Sequence, residues 1–280
     1  MSAEDPGPRS VAAVVLDQRD REQLRLARDL LENPSLAARI SDLVGTPIER
    51  GFELLPERWS KAVNAATRKA IESALDIALG TMDASHRGAA SNWWHAAAAT
   101  ATGATGGAFG LGALAIELPI STGIMLRSIA DIARSEGEDL AEPDARLQCL
   151  QVLALGGRSR NDDAAEVGYF AARAALARAV SEAASHIARR GLVEKSAPAL
   201  VRLVAQVAAR FSVVVSEKAA AQAVPVVGAF GGAAINAVFI DHFQDMARGH
   251  FIVRRLERSH GTEAVRRVYA ELESGPQQLS

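Results

Sequence analysis

Ala96–Ile116 reads AAAATATGATGGAFGLGALAI and Ala219–Ile240 reads AAAQAVPVVGAFGGAAINAVFI. Both stretches are free of charged residues, and both have about the length that crosses a bilayer core. Their apolarity comes from Ala and Gly rather than Leu: Gly103, Gly106, Gly107, Gly110 and Gly112 in the first, Gly228, Gly231 and Gly232 in the second. Each leads into a charged helical segment. Such a stretch either enters a membrane or forms the centre of a helical domain, where small-x-x-x-small pairs let helices approach closely. Ala, Gly and Thr drive insertion weakly beside Leu, Ile, Phe and Val. The first stretch has few strong apolar residues before Phe109, and the second carries Gln222, Pro225 and Asn236. The expected arrangement is therefore globular, with the stretches as central helical hairpins, each broken or bent at Pro and Gly. A soluble fold that docks peripherally, with Trp93 and Trp94 at the interface, is the alternative.

Outward from these stretches, helical spacing recurs and strand alternation does not. Asp17–Leu31 reads as an amphipathic helix stopped by Asn33 and Pro34, and Ser35–Val44 as a second ended by Gly45. Pro47–Leu55 reads as a connector. A long helix then runs from Pro56 to about Leu79, and another covers Asn92–Thr105. Ser121–Glu136 follows Pro119 and stops at Gly137. Pro143–Leu155, Ala164–Arg190, Ser196–Phe211, Glu217–Ala223, Gly232–His260 and Glu263–Glu273 complete the set. Phe211–Val215 is strand-like but has nothing to pair with, so it reads as a connector. The expectation is an all-α fold: one compact domain of about ten helices over 16–273, with tails at 1–15 and 274–280.

The composition narrows the class. With 49% apolar and 23% charged residues the chain is ordinary for a globular protein. A net charge of -2 gives no pull toward nucleic acid. Cys149 is the single cysteine, which excludes an internal disulfide and a multi-cysteine zinc site. It lies in the apolar run Leu147–Leu155 and reads as a small buried hydrophobe. Acidic Glu4 and Asp5, with a short apolar run at Val11–Leu16, argue against a signal peptide. A cytoplasmic protein is expected, peripheral at the inner face of the membrane if it docks.

No catalytic motif emerges. Gly110-Leu111-Gly112-Ala113-Leu114-Ala115 fits the loose dinucleotide pattern, but no strand precedes it, so no cofactor is expected. Arg127, Asp131 and Arg134 fall at i, i+4 and i+7 on one helical stripe, with Asp139 just past Gly137. They read either as an intrahelical salt bridge or as an anionic-ligand or lipid-headgroup site using the two Arg as forks. Asn236 sits in the second apolar stretch, where a buried amide needs a partner. It is either a packing hydrogen bond or one wall of a polar pocket shared with Lys218 and Glu117. Asp241, Asp245 and Arg248 repeat the charged spacing beside His242. No Glu-x-x-His pair accompanies them, so solvated charges rather than a metal site are expected. His250 and His260 take helix-end or surface roles by default.

Several segments together resemble one family: Gly45-Thr46-Pro47-Ile48-Glu49, Leu55-Pro56-Glu57, Glu117-Leu118-Pro119-Ile120, Leu126 through Arg134, Gly137-Glu138-Asp139, Val224 through Ala229, Gly231 through Asn236, and Ala247-Arg248-Gly249-His250-Phe251. Their order from about Leu36 to Gly261 resembles the EcsC family of mainly bacterial proteins. Glu117 stands where that family often has Asp, and the charge is kept. The resemblance implies a loose link to membrane transport and protein secretion, and no reaction. The expected function is a non-enzymatic, membrane-proximal accessory factor whose partner is a membrane lipid or a membrane-protein complex. The alternatives are an enzyme or small-ligand-binding protein with a pocket built from Glu117, Arg127, Asp131, Lys218 and Asn236, and a structural homo-oligomer.

Overall fold

Ala145 and Leu147 through Leu155 are all buried, so the helix that carries them is covered on every side. The computed structural model describes residues 16–32, 36–45, 47–56, 58–80, 110–157, 168–190, 196–224 and 228–273. Among them lie ten helices and no strand: α1 (Gln18–Glu32), α2 (Leu36–Val44), α3 (Ile48–Leu54), α4 (Trp59–Gly80), α5 (Gly110–Ser135), α6 (Pro143–Leu155), α7 (Gly168–Arg190), α8 (Pro198–Ala223), α9 (Gly228–His260) and α10 (Thr262–Glu273). The fold is all-α and forms one compact domain. Buried α6 is the hub, packed against α4, α5, α7, α8 and α9.

The contacts set the helix directions. Phe211 meets Phe243, and Lys218 meets Phe239, so α8 and α9 form an antiparallel hairpin. Ser128 bonds Gln244 and Glu136 bonds Arg255, so α5 and α9 run parallel. Gly51 and Gly249 mark two close helix crossings. A Cβ on Gly51 of α3 would stand 2.2 Å from the Ala220 carbonyl oxygen of α8, and one on Gly249 of α9 would stand 2.6 Å from Leu31 Cγ of α1. At the end of α5 Gly137 adopts a φ of 80° and Glu138 N–H donates to Ala133 O at 3.0 Å, a glycine stop that completes the helix cap.

Three local expectations are corrected. Pro47–Leu55 contains a short helix, α3, because Ile48 and Gly51 are buried against α8. α5 does not begin after Pro119 but runs through it from Gly110. Proline removes one helical hydrogen bond, and burial of Leu118, Thr122, Met125 and Leu126 outweighs that loss. Phe211–Val215 is no connector. It continues α8, which joins Ser196–Phe211 and Glu217–Ala223 into one helix. Phe211, Val214 and Val215 are fully buried, and tertiary packing overrides the weak helix preference of β-branched residues.

Of the two opening stretches, the second is divided: α8 ends at Ala223 and α9 begins at Gly228. Ala219, Ala220, Ala221, Ile235 and Phe239 enter the core. Residues 96–109 of the first stretch, the helix expected over Asn92–Thr105, and Trp93-Trp94 lie outside the described residues, as do the expected tails at 1–15 and 274–280. One helix among the described residues, α8, is long and apolar enough to cross a membrane. Its most apolar window has a mean hydropathy of 1.6, and 39% of that window is buried.

Candidate functional site

Lys218 lies near the C-terminus of α8 between Val215 and the Ala219–Ala221 run, and packing carries its side chain fully inside. Its Nζ donates to Glu117 Oε1 of α5 at 2.8 Å. The lysine side chain is 0% exposed and the glutamate 30%, so Glu117 forms the solvent border of the pair. The same Nζ stands 4.8 Å from the centre of the Phe239 ring of α9, a cation–π contact in a desolvated place. Three helices thus meet at one ammonium. Removing an ammonium from water is costly, and the carboxylate and ring offset that cost in part.

Asn236 lies one turn before Phe239 and shares the α8-facing stripe that continues through Phe243. Its Oδ1 is buried and accepts no hydrogen bond. The antiparallel register of α8 and α9 sets Asn236 at the level of Lys218. The structure therefore joins Glu117 and Lys218 directly and brings Asn236 to the same level, three of the residues expected to line a polar pocket.

The remaining expected residues part from this group. Arg134 Nη1 donates to Asp131 Oδ1 at 2.6 Å, an intrahelical pair with side chains 40% and 76% exposed. It is the salt bridge of the first reading and contributes little at such exposure. Arg127 is partly buried one turn earlier. Asp139 Oδ1 accepts from the Ala141 N–H at 2.9 Å in the turn after α5. Asp245 pairs with Arg39 of α2 at 3.2 Å and Arg248 at 3.5 Å, and Asp241 is exposed. No cluster of His, Cys, Asp and Glu among the described residues is arranged to hold a metal ion.

The default placement of His250 is corrected, whereas His260 is the last residue of α9, a helix-end place as expected. His242 is buried and its Nε2 contacts Gly156 O at 3.0 Å. His260 pairs with Asp20 of α1 at 2.6 Å. His250 is fully buried, with Tyr169 OH 2.9 Å from Nδ1 and Gln148 Oε1 3.3 Å from Nε2. Gln148 Nε2 in turn donates to Asp144, so Oε1 faces the ring, Nε2–H donates to it, and Nδ1 accepts from Tyr169. Burial and the charges of Arg173 and Arg254 hold His250 well below the usual histidine range, so the ring is neutral. Around it Arg173 grips Glu257 at 2.9 and 2.7 Å, and Arg254 grips Glu138 at 2.8 and 3.1 Å. Burial alone would raise the Glu138 carboxyl, but Arg254 and Arg258 hold it low. Every ionic group in this network is matched, which suits a rigid scaffold. Neither Tyr169 nor Gln148 lies near His250 in sequence, so no local pattern signals the network.

A second ionisable group was missed beside Lys218. Burial pushes the Glu217 carboxyl up to about 7, although the Ala37 backbone N–H in the first turn of α2 bonds it. Cys149 is buried as expected, and burial pushes its thiol up to about 12.

Large apolar side chains remain uncovered where α3 crosses α8, and Leu26 of α1 and Val201 and Val213 of α8 are exposed as well. Ile116, next to Glu117, is 64% exposed, Leu54 of α3 53%, and Leu43 near the end of α2 47%. The opposite end of α5 and α9 is ionic, carrying Glu136, Glu138, Arg254, Arg255 and Arg258.

Searches among curated proteins and solved structures return no match to this chain. The EcsC protein family model, in contrast, matches residues 18–256, from the first residue of α1 to the last turns of α9. That span takes in the Lys218–Glu117 pair, Asn236 and all helices but α10, and on it the chain belongs to the EcsC protein family.

Proposed function

We propose that this protein is a non-enzymatic, membrane-proximal accessory factor in bacterial transport or secretion, docking peripherally through the end where α3 crosses α8. The observation that carries the reading is the exposure of Leu43, Leu54 and Ile116 at one end, opposite an end rich in ion pairs. Exposed large apolar residues gathered in one region mark an interaction surface more than scattered ones do.

The magnitudes favour docking over spanning. α8 contains Glu217 and Lys218, its inner face holds Phe211 and Val214 in the core, and Lys218 is tied to α5. Extracting it would expose that face and break the ion pair. Burying one large aliphatic side chain completely is worth about 1.5–3 kcal/mol, and these three are half covered already, so docking yields roughly 3–4 kcal/mol. That is weak, reversible attachment, below what a single lipid chain provides. It suits a factor that holds a membrane-protein complex as well as the lipid surface.

Fractionation of producing cells tests the reading. The protein is expected in the membrane pool released by alkaline carbonate, and Leu54→Glu/Ile116→Glu moves it to the soluble pool. Protein that is wholly soluble in both forms contradicts it, and carbonate-resistant protein replaces docking with insertion.

A further inference from the structure

We infer that Lys218, Glu117 and Asn236 form a binding site for a small diol, a neutral group bearing adjacent hydroxyls of the glycerol kind. This goes beyond the docking reading and stands without it, since a soluble polyol and a lipid headgroup offer the same chemistry.

The argument rests on unmet hydrogen-bonding capacity. An ammonium has three N–H donors. Glu117 is the one oxygen partner of Lys218 among the described residues, and the Phe239 ring lies on another side. At the same level Asn236 Oδ1 is buried and accepts nothing. A buried group left unbonded costs about 1–3 kcal/mol. By the register of α8 and α9, donors short of an acceptor and an acceptor short of a donor lie at one level of the hairpin. One hydroxyl meets both needs: its oxygen accepts from Nζ and its hydrogen goes to Oδ1.

Charge selects the ligand class. Lys218 and Glu117 cancel, so an added anion or cation would be buried uncompensated, whereas a neutral hydroxyl group is not. Glu117 uses Oε1 on Lys218 and is 30% exposed, which leaves its second oxygen at the border for a neighbouring hydroxyl. Phe239 offers an apolar wall to the carbon skeleton. Thr122, whose Oγ1 is also buried and unbonded, is excluded because it lies about 140° round α5 from Glu117. Entry runs past Glu117, beside exposed Ile116.

The chain has four lysines, Lys61, Lys69, Lys195 and Lys218, so carbon-13 labelling of the lysine side chains resolves Lys218 by NMR. Titration of the full chain with glycerol, against inorganic phosphate, is expected to move the Lys218 signal saturably with the first probe alone. Asn236→Leu, which keeps the Lys218 signal, is expected to weaken that binding at least about tenfold. Asn236 Oδ1 accepts no hydrogen bond in the free protein, so Asn236→Leu breaks no existing bond and keeps the test decisive. No shift with either probe, as when a single water fills the place, overturns the inference. A shift with inorganic phosphate as large as that with glycerol overturns it too, because the site then does not select a neutral hydroxyl group.

Phosphatidylcholine vesicles carrying either phosphatidylglycerol or an equal share of phosphatidylserine identify the source. Preference for phosphatidylglycerol that Asn236→Leu abolishes places the diol on lipid. Equal vesicle binding with the free-probe shift retained places it in solution. Failure to bind any vesicle counts against the docking reading alone, because the NMR titration judges the site separately.

Discussion

Lys218 Nζ and Glu117 Oε1 lie 2.8 Å apart across 101 positions of sequence, and through them α8 is fixed to α5 from inside the domain. The two partners are unequal: the lysine has no exposed surface and the glutamate keeps 30% of its own. Loss of the glutamate strands a buried charge, whereas loss of the lysine leaves a carboxylate that can turn to water.

The pair therefore responds asymmetrically to substitution. Glu117→Ala is expected to destabilise by about 2–4 kcal/mol, discounted from a fully buried pair because Glu117 is partly solvated, whereas Lys218→Met stays within about 1 kcal/mol of the parent. Urea unfolding of both variants measures this. Equal losses would show that the ammonium is hydrated in solution.

Gly51 is expected to tolerate no side chain. An alanine Cβ there would stand 2.2 Å from Ala220 O, a backbone atom that cannot turn aside, so α3 must lift from α8. The expected loss in Gly51→Ala is about 1–3 kcal/mol in chemical denaturation. Gly80→Ala, where nothing lies within 4 Å of the added carbon, is the control and should be neutral or stabilising.

Glu217 makes stability depend on pH near neutrality. Its folded carboxyl titrates at about 7 against an ordinary value of 4.5, so between these pH values the folded state holds more protons than the unfolded state. Stability then falls as pH rises through that window, by roughly 1–3 kcal/mol at most. Thermal melts at pH 5 and pH 8 are expected to show the drop in the parent and a smaller one in Glu217→Gln. Equal drops would assign the effect to another group.

Cys149 should be inert in the folded chain. It is fully buried with its thiol pushed up to about 12, so the thiolate is scarce and unreachable. Alkylation at pH 8 is expected to follow global unfolding, rising steeply with urea. Rapid reaction without denaturant would mean that α6 opens locally.

The helices were legible where one face is apolar and a stop residue follows. Gly137 and Gly261 end α5 and α9 with positive φ, as their position after periodic segments foretells. Continuous helices across Pro119 and Phe211–Val215 were not legible, because there tertiary burial outweighs local preference. The link of Glu117 to Lys218 could be guessed from two lone charges bordering apolar stretches. The Tyr169–His250–Gln148 contacts could not, since they join α7, α9 and α6 over long separations with no shared period. Gly51 and Gly249 escaped notice because a single glycine in a helix does not announce what crosses it.

Flotation of the purified full-length chain with phosphatidylcholine–phosphatidylglycerol vesicles tests docking most directly. The parent is expected to rise with the vesicles and Leu54→Glu/Ile116→Glu to stay behind, while a control Val201→Glu on the outer face of α8 still floats. A parent that stays at the bottom, or a double variant that floats unchanged, would contradict docking through this end of the domain.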